Sequence, residues 1–190
     1  IGQKTAYPNN GEIRLSIKPH KPSKFRLHLR IPTWTGERFI PGKLYSYLDQ
    51  STQSFTLSVN GQPVEVPVTK GFVSIERTWK VGDRVALNLP MPVRVSRSHE
   101  EVKANTGRIA LTRGPFVLCA EGIDNGGVTQ RYFFDQLPKV ADAKTKTTTI
   151  DSGSFIQVSL PAKTVTKTGG TQAARLILTP YYAWNNRGNG

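Results

Sequence analysis

Three histidines, one cysteine and thirteen acidic side chains are the chain's stock for proton transfer, nucleophilic attack or metal binding. His20, His28 and His99 are widely spaced, and none falls in a metal-ligand motif such as H-E-x-x-H. His28 lies on the polar face of an alternating stretch and reads as a solvated side chain. Cys119, in "GPFVLCAEG", reads as a small buried hydrophobe rather than a reactive thiol. A single cysteine excludes an internal disulfide and any cysteine-based metal cluster. Glycoside hydrolysis needs two carboxylates about 5 to 10 Å apart. The acids on offer are Glu100-Glu101 in a polar stretch, Asp124 in "GIDNGG" and Asp135 in "FFDQL", the last two at turn or strand-end positions. No nucleophile stands with a base, and no G-x-S-x-G elbow, phosphate loop or dinucleotide fingerprint is present. The glycine pairs of "DNGGV" and "KTGGTQ" are not followed by a helix that could cradle a phosphate. The sequence therefore predicts no catalytic residue, no metal site and no cofactor within this chain.

Recognition is written more plainly than catalysis. The stretch "TPYYAWNNRGNG", residues 179 to 190, sets aromatic rings beside amides and a guanidinium. That mixture suits a sugar face or a protein interface. Candidates for domain docking or glycan contact are Trp34, Tyr45, Tyr47, Trp79, Tyr182, Trp184, Asn185 and Arg187. For Trp184 and Arg187 the competing reading is local packing of the last loop on its own domain. Docking stands level with that reading, and glycan contact ranks behind both.

The elements that must position these residues are strands. "GEIRLSIKP" puts Ile13, Leu15 and Ile17 on one face, and "SKFRLHLRIP" does the same with Phe25, Leu27, Leu29 and Ile31. Such period-2 alternation marks antiparallel strands buried on one side. Asn60-Gly61 between two alternating runs predicts a hairpin. Strands follow around Phe72 to Arg77 and through Val85, Leu87 and Leu89, closed by Pro90 and Pro92. No window holds helical apolar spacing for three turns. Residues 93 to 105, "VRVSRSHEEVKAN", read as a polar seam near a domain boundary. "VADAKTKTTTIDSG" and "AKTVTKTGGTQ" read as exposed, mobile connectors. The insertion "TGERFIPGKLYSYLDQST" is long for a loop, and its Phe39, Tyr45 and Tyr47 imply that it packs on something. The expected architecture is all-β, with two consecutive antiparallel β-sandwich domains over 1–97 and 98–190.

The net charge of +13 admits a nucleic acid, an anionic polysaccharide, an acidic neighbouring domain or only a solubilising surface. In "KFRLHLR", however, basic and apolar residues alternate onto opposite faces. A single-strand binder needs aromatic and basic groups on one exposed face, so nucleic acid is disfavoured. No apolar run approaches the roughly 20 residues that span a bilayer. "IGQKTAYPNN" does not read as a secretory signal, and a start without Met is expected of a piece cut from something longer.

Taken in order, several stretches resemble one family. "YPNNGEIRLSI" resembles a "YPWDGxVxL" opening, with Asn9-Asn10 in place of Trp-Asp. "FRLHLRIPTW", "VNGQPV", "GFVSIERTWKVGDRVALNLPMPVR" and "GRIALTRGPFVLCAEGIDN" follow in the family's order, and "TPYYAWNNRGNG" resembles "PYYAWANRGPGEM". The chain thus resembles the C-terminal region of the bacterial β-L-arabinofuranosidase-like glycoside hydrolases, family 127 and its relatives. The match runs from Tyr7 onward and is weakest over 128 to 174. The resemblance implies an (α/α)6 catalytic barrel upstream, with a zinc-bound cysteine nucleophile and glutamates, none of which falls on this chain. Cys119 matches none of those positions. It also implies a last strand cut short at Gly190. The implied role is a non-catalytic region supporting the barrel, with the barrel or a second copy as partner and a periplasmic or extracellular parent. The alternative is a carbohydrate-binding module that stacks sugars on an exposed row of Trp34, Trp79 or Trp184.

Overall fold

The computed structural model describes residues 1–37, 39–49, 53–150 and 153–187. The chain is all-β and antiparallel throughout, as the alternation predicts. Its strands are β1 (Gly2–Thr5), β2 (Glu12–Ser16), β3 (Ser23–Arg30), β4 (Tyr45–Tyr47), β5 (Thr56–Val59), β6 (Gln62–Pro63), β7 (Phe72–Trp79) and β8 (Arg84–Asn88). They continue as β9 (Val93–Ser98), β10 (Ala110–Arg113), β11 (Phe116–Ala120), β12 (Tyr132–Phe133), β13 (Lys144–Ile150), β14 (Gly153–Val165) and β15 (Thr171–Pro180). The chain divides into two compact units. The first holds Ile1–Lys43 and Gln50–Met91; the second holds Leu44–Asp49 and Pro92–Gly190.

In the first unit a five-stranded sheet, ordered β1-β2-β8-β5-β6, shares a core with the β3–β7 pair. The inward positions are those of the alternation: Leu15 and Ile17, Leu27 and Leu29, Val85 and Leu87 are buried. Asn60 and Gly61 adopt positive φ (53° and 81°) between β5 and β6, the conformation a tight hairpin demands. Gly11 answers a different need. A Cβ there would stand 1.8 Å from the Leu89 carbonyl oxygen, so only glycine lets the two backbones approach.

Trp79 corrects an expectation. It is fully buried at the end of β7, stacked on Phe25 with centroids 5.7 Å apart, and its Nε1 donates to the Phe25 carbonyl at 3.1 Å. The indole fills the core because its one polar atom finds a backbone acceptor there. It presents no surface to a glycan or to another domain.

The second unit is one eight-stranded sheet, ordered β12-β14-β15-β11-β10-β9-β4, with β13 also paired to β14. Val93, Val95, Leu111, Leu118, Val158, Leu160, Leu176 and Leu178 form its core. Phe155, Gln157 and Thr179 stand at the alternate positions of β14 and β15 and are buried as well. Both faces of the sheet are therefore covered at this end. Three readings of polar stretches need correction. Residues 93–98, read as part of a polar seam, form β9, with Val93 to Ser96 all buried. The Lys/Thr-rich run contains β13, where β-branched threonines suit a pleated surface. Much of "AKTVTKTGGTQ" likewise belongs to β14 and β15, joined by a turn in which Thr166 N–H donates to the Gly170 carbonyl at 2.8 Å.

Candidate docking surface and the ion cluster beneath it

The end segment is built on two neighbouring strands. β11 and β15 pair with Leu118 opposite Pro180 and Cys119 opposite Thr179. β11 leads into Glu121 and a 3-10 turn at Gly122–Asp124, whereas β15 leads into a 3-10 turn at Tyr181–Ala183. Asn185 then takes φ = 60°, a left-handed conformation that asparagine tolerates better than most residues. Its N–H donates to Glu121 Oε1 at 2.7 Å.

That reversal delivers Arg187 to two carboxylates, Glu121 buried and Asp124 half-buried. Arg187 Nη1 donates to Asp124 Oδ1 at 2.9 Å, and Nη2 donates to Asp124 Oδ2 at 2.5 Å and to Glu121 Oε2. The Glu121 side chain is 0% exposed, with Arg187 at 13% and Asp124 at 16%. Gln157 Nε2 adds a hydrogen bond to Asp124 Oδ2 at 3.0 Å, and Thr148 Oγ1 donates to Gln157 Oε1 at 2.7 Å. Asn125 fixes the loop by donating to the Glu121 and Ile177 carbonyls at 2.8 and 2.9 Å. The Arg187 guanidinium also lies 5.5 Å from the Phe155 ring centroid.

These two acids converge, but not for catalysis. Burial pushes the Asp124 carboxyl up, yet the Arg187 hydrogen bonds and charge, with Gln157 and Thr179, outweigh it and hold the carboxyl below its ordinary value. A glycosidase acid needs the opposite shift, so that a proton is retained for the leaving group. Glu121 is sealed from solvent and tied to Arg187. The Arg187 guanidinium is correspondingly raised, chiefly by the Asp124 hydrogen bonds. Beside the cluster, burial and then the Glu121 charge raise the Cys119 thiol, keeping it protonated and sluggish. Among the described residues no three His, Cys, Asp or Glu gather at the spacing a zinc ion needs.

Above the cluster the aromatics face outward. Tyr181 is 62% exposed, Tyr182 56% and Trp184 50%. The Tyr181 and Trp184 rings lie parallel within 6°, centroids 6.0 Å apart, and Tyr182 leans on Phe116 at 5.0 Å. The remaining sequence candidates lie elsewhere. Trp34 is half-buried in a 3-10 turn (Thr33–Thr35) and packs on the first unit's core. Tyr45 is exposed on β4, and Tyr47 lies under the Arg94 guanidinium at 3.4 Å. Of the three tryptophans, Trp79 has no exposed face and Trp34 is partly covered, so no tryptophan row is displayed. Arg187 is the anchor of the end segment rather than part of its surface. Sequence reasoning read Asp124 as a turn or strand-end residue and missed Glu121, because their counter-charge follows 63 and 66 residues later. Gly188–Gly190 and the expected truncated last strand lie outside the described residues.

Comparison with known proteins places this geometry. Residues 1–91 match the family model "Beta-L-arabinofuranosidase, GH127 middle domain", and residues 93–190 match "Glycoside hydrolase family 127 C-terminal domain". A non-reducing end β-L-arabinofuranosidase of Bifidobacterium longum subsp. longum is 29% identical over 98% of this chain and 28% of its own length. A solved GH127 β-arabinofuranosidase is 38% identical, with a TM-score of 0.88, over 98% of this chain and 29% of its own. A GH127 β-L-arabinofuranosidase from Geobacillus stearothermophilus T6 is 30% identical, with a TM-score of 0.80, over 99% and 28%. The chain thus spans less than a third of the length of these relatives. It belongs to glycoside hydrolase family 127, matching the family's middle and C-terminal domains.

Proposed function

We propose that the chain is the non-catalytic accessory region of a β-L-arabinofuranosidase-like glycoside hydrolase. On this reading it supports a separate catalytic barrel, which holds the zinc and the nucleophile. Tyr181, Tyr182 and Trp184 form the face that docks on that barrel. The observation that carries the reading is the Arg187 clamp, which fixes three exposed aromatics over a buried ion cluster. Held rings lose little entropy on contact, and tyrosine and tryptophan dominate interface hot spots. The absence of a displayed tryptophan row weighs against the sugar-binding alternative.

The test uses the full-length parent carrying Tyr181→Ser, Tyr182→Ser and Trp184→Ser together. Docking predicts that hydrolysis of a β-L-arabinofuranoside fails at a lower temperature than in the parent. The isolated 190-residue chain with the same changes should unfold at an unchanged urea midpoint. An unchanged temperature profile would sink the docking role. Loss of retention on arabinan with the profile intact would move the face to glycan contact.

A further inference from the structure

The two family matches divide the chain at residue 92, and the folded units divide there too, with one exception: Leu44–Asp49, inside the middle-domain match, belongs to the second unit. We propose that the outer edge of β9 is a sequence-specific strand-recognition site. Its ligand is Tyr47-Leu48-Asp49, and the C-terminal unit needs this segment of the middle-domain sequence to complete its own sheet.

The backbone makes the first part of the contact. Tyr45, Ser46 and Tyr47 pair antiparallel with Ser98, Arg97 and Ser96. Leu48 N–H donates to the Val95 carbonyl at 2.9 Å, and His99 N–H donates to the Leu44 carbonyl at 2.7 Å. Backbone pairing of this kind supplies affinity without identity; side chains on alternate faces supply identity.

Three consecutive side chains do so here. On one face Asp49 meets Arg94, whose side chain is only 6% exposed: Arg94 Nε donates to Asp49 Oδ2 at 2.8 Å. Asp49 Oδ1 accepts from the Val95 N–H at 3.1 Å, and the Asp49 carbonyl accepts from Arg94 Nη2 at 3.3 Å. On the same face the Tyr47 ring packs flat under that guanidinium and its hydroxyl bonds Thr112, which stands opposite Arg94 on β10. On the other face Leu48 packs against the core cluster of the second unit, to which Val93 and Val95 of β9 belong. The segment is read on both sides. Without it β9 presents an open edge, and the buried Arg94 loses the carboxylate that compensates it.

The experiment uses the full 190-residue chain with Asp49→Ala, followed by residue-resolved hydrogen exchange. Amides of Val93–Ser98 and Ala110–Arg113 should exchange faster by roughly a hundredfold, as loss of one partner of a buried ion pair implies. Those of Glu12–Ser16 and Arg84–Asn88 in the first unit should be unchanged. A synthetic peptide of residues 43–52 should restore protection to the variant, and the same peptide with Asp49→Ala should not. Should Asp49→Ala fail to fold, the pair Asp49→Leu with Arg94→Met, which leaves no buried charge, should be more stable than Arg94→Met or Asp49→Leu alone. Unaltered protection in β9, equal loss in both units, or rescue by the altered peptide would each overturn the proposal.

Discussion

Arg187→Met tests the ion cluster most directly. The substitution keeps an apolar stem over Phe155 but leaves Glu121, sealed from solvent, and Asp124 facing each other without a cation. Removing one partner of a buried ion pair costs about 3–5 kcal/mol. Arg187 retains some exposure, which places the expected loss near the lower end, about 3 kcal/mol. For a unit of roughly 100 residues, at about 4 °C per kcal/mol, this is a fall of about 12 °C in Tm. Urea unfolding followed by far-UV circular dichroism measures the loss. Hydrogen exchange in Gly153–Val165 and Thr171–Pro180 assigns it to the second unit. Adding Glu121→Gln to Arg187→Met should recover part of the loss, because it removes the stranded charge. A loss below about 1 kcal/mol, the value of a surface pair, would refute the view that the end segment is clamped from beneath.

The Asp124 carboxyl should also set an acid limit. Its folded pKa lies below the ordinary Asp value of about 3.9, so the unfolded state binds more protons in that window. Its stabilisation is therefore present above about pH 4 and is lost as pH falls through the folded value. Asp124→Asn should flatten the stability profile of the second unit below about pH 4; an unchanged slope in urea titrations would reject the assignment. In the first unit, Trp79→Ala should cost about 3–5 kcal/mol, as buried Trp truncations do, with no change in retention on any glycan. Trp79→Phe should fall between, because it keeps a ring but loses the Nε1 hydrogen bond to the Phe25 carbonyl.

Legibility followed the range of the interactions. The buried faces of β2, β3 and β8 could be read because alternation is a local property, and so could the Asn60-Gly61 hairpin, whose geometry two residues dictate. Arg94 could not. An arginine among valines looks like solvent-facing charge until Asp49, 45 residues earlier, is brought beside it. Glu121 and Asp124 were hidden for the same reason, since a lone carboxylate after a strand resembles a turn. Trp79 was misjudged because residue type alone does not tell a buried indole from a displayed one. Only the Phe25 carbonyl at its Nε1 decides that. The end segment was legible as a recognition element, but its division into an inward arginine and outward rings was not.

The Arg187 cluster also fixes an order of events at the ribosome. Glu121 and Asp124 emerge early in the second unit, and every strand of its sheet among the described residues is made before the cation that neutralises them. Synthesis and folding both proceed from the N-terminal side. A nascent chain halted after β15 therefore carries two carboxylates with a prepared burial site and no counter-charge. Those acids must stay hydrated, or hold their protons, until the turn that carries Arg187 arrives. The unit is expected to close only when Arg187 clears the exit tunnel, so the aromatic face is assembled at the same moment as the domain that displays it.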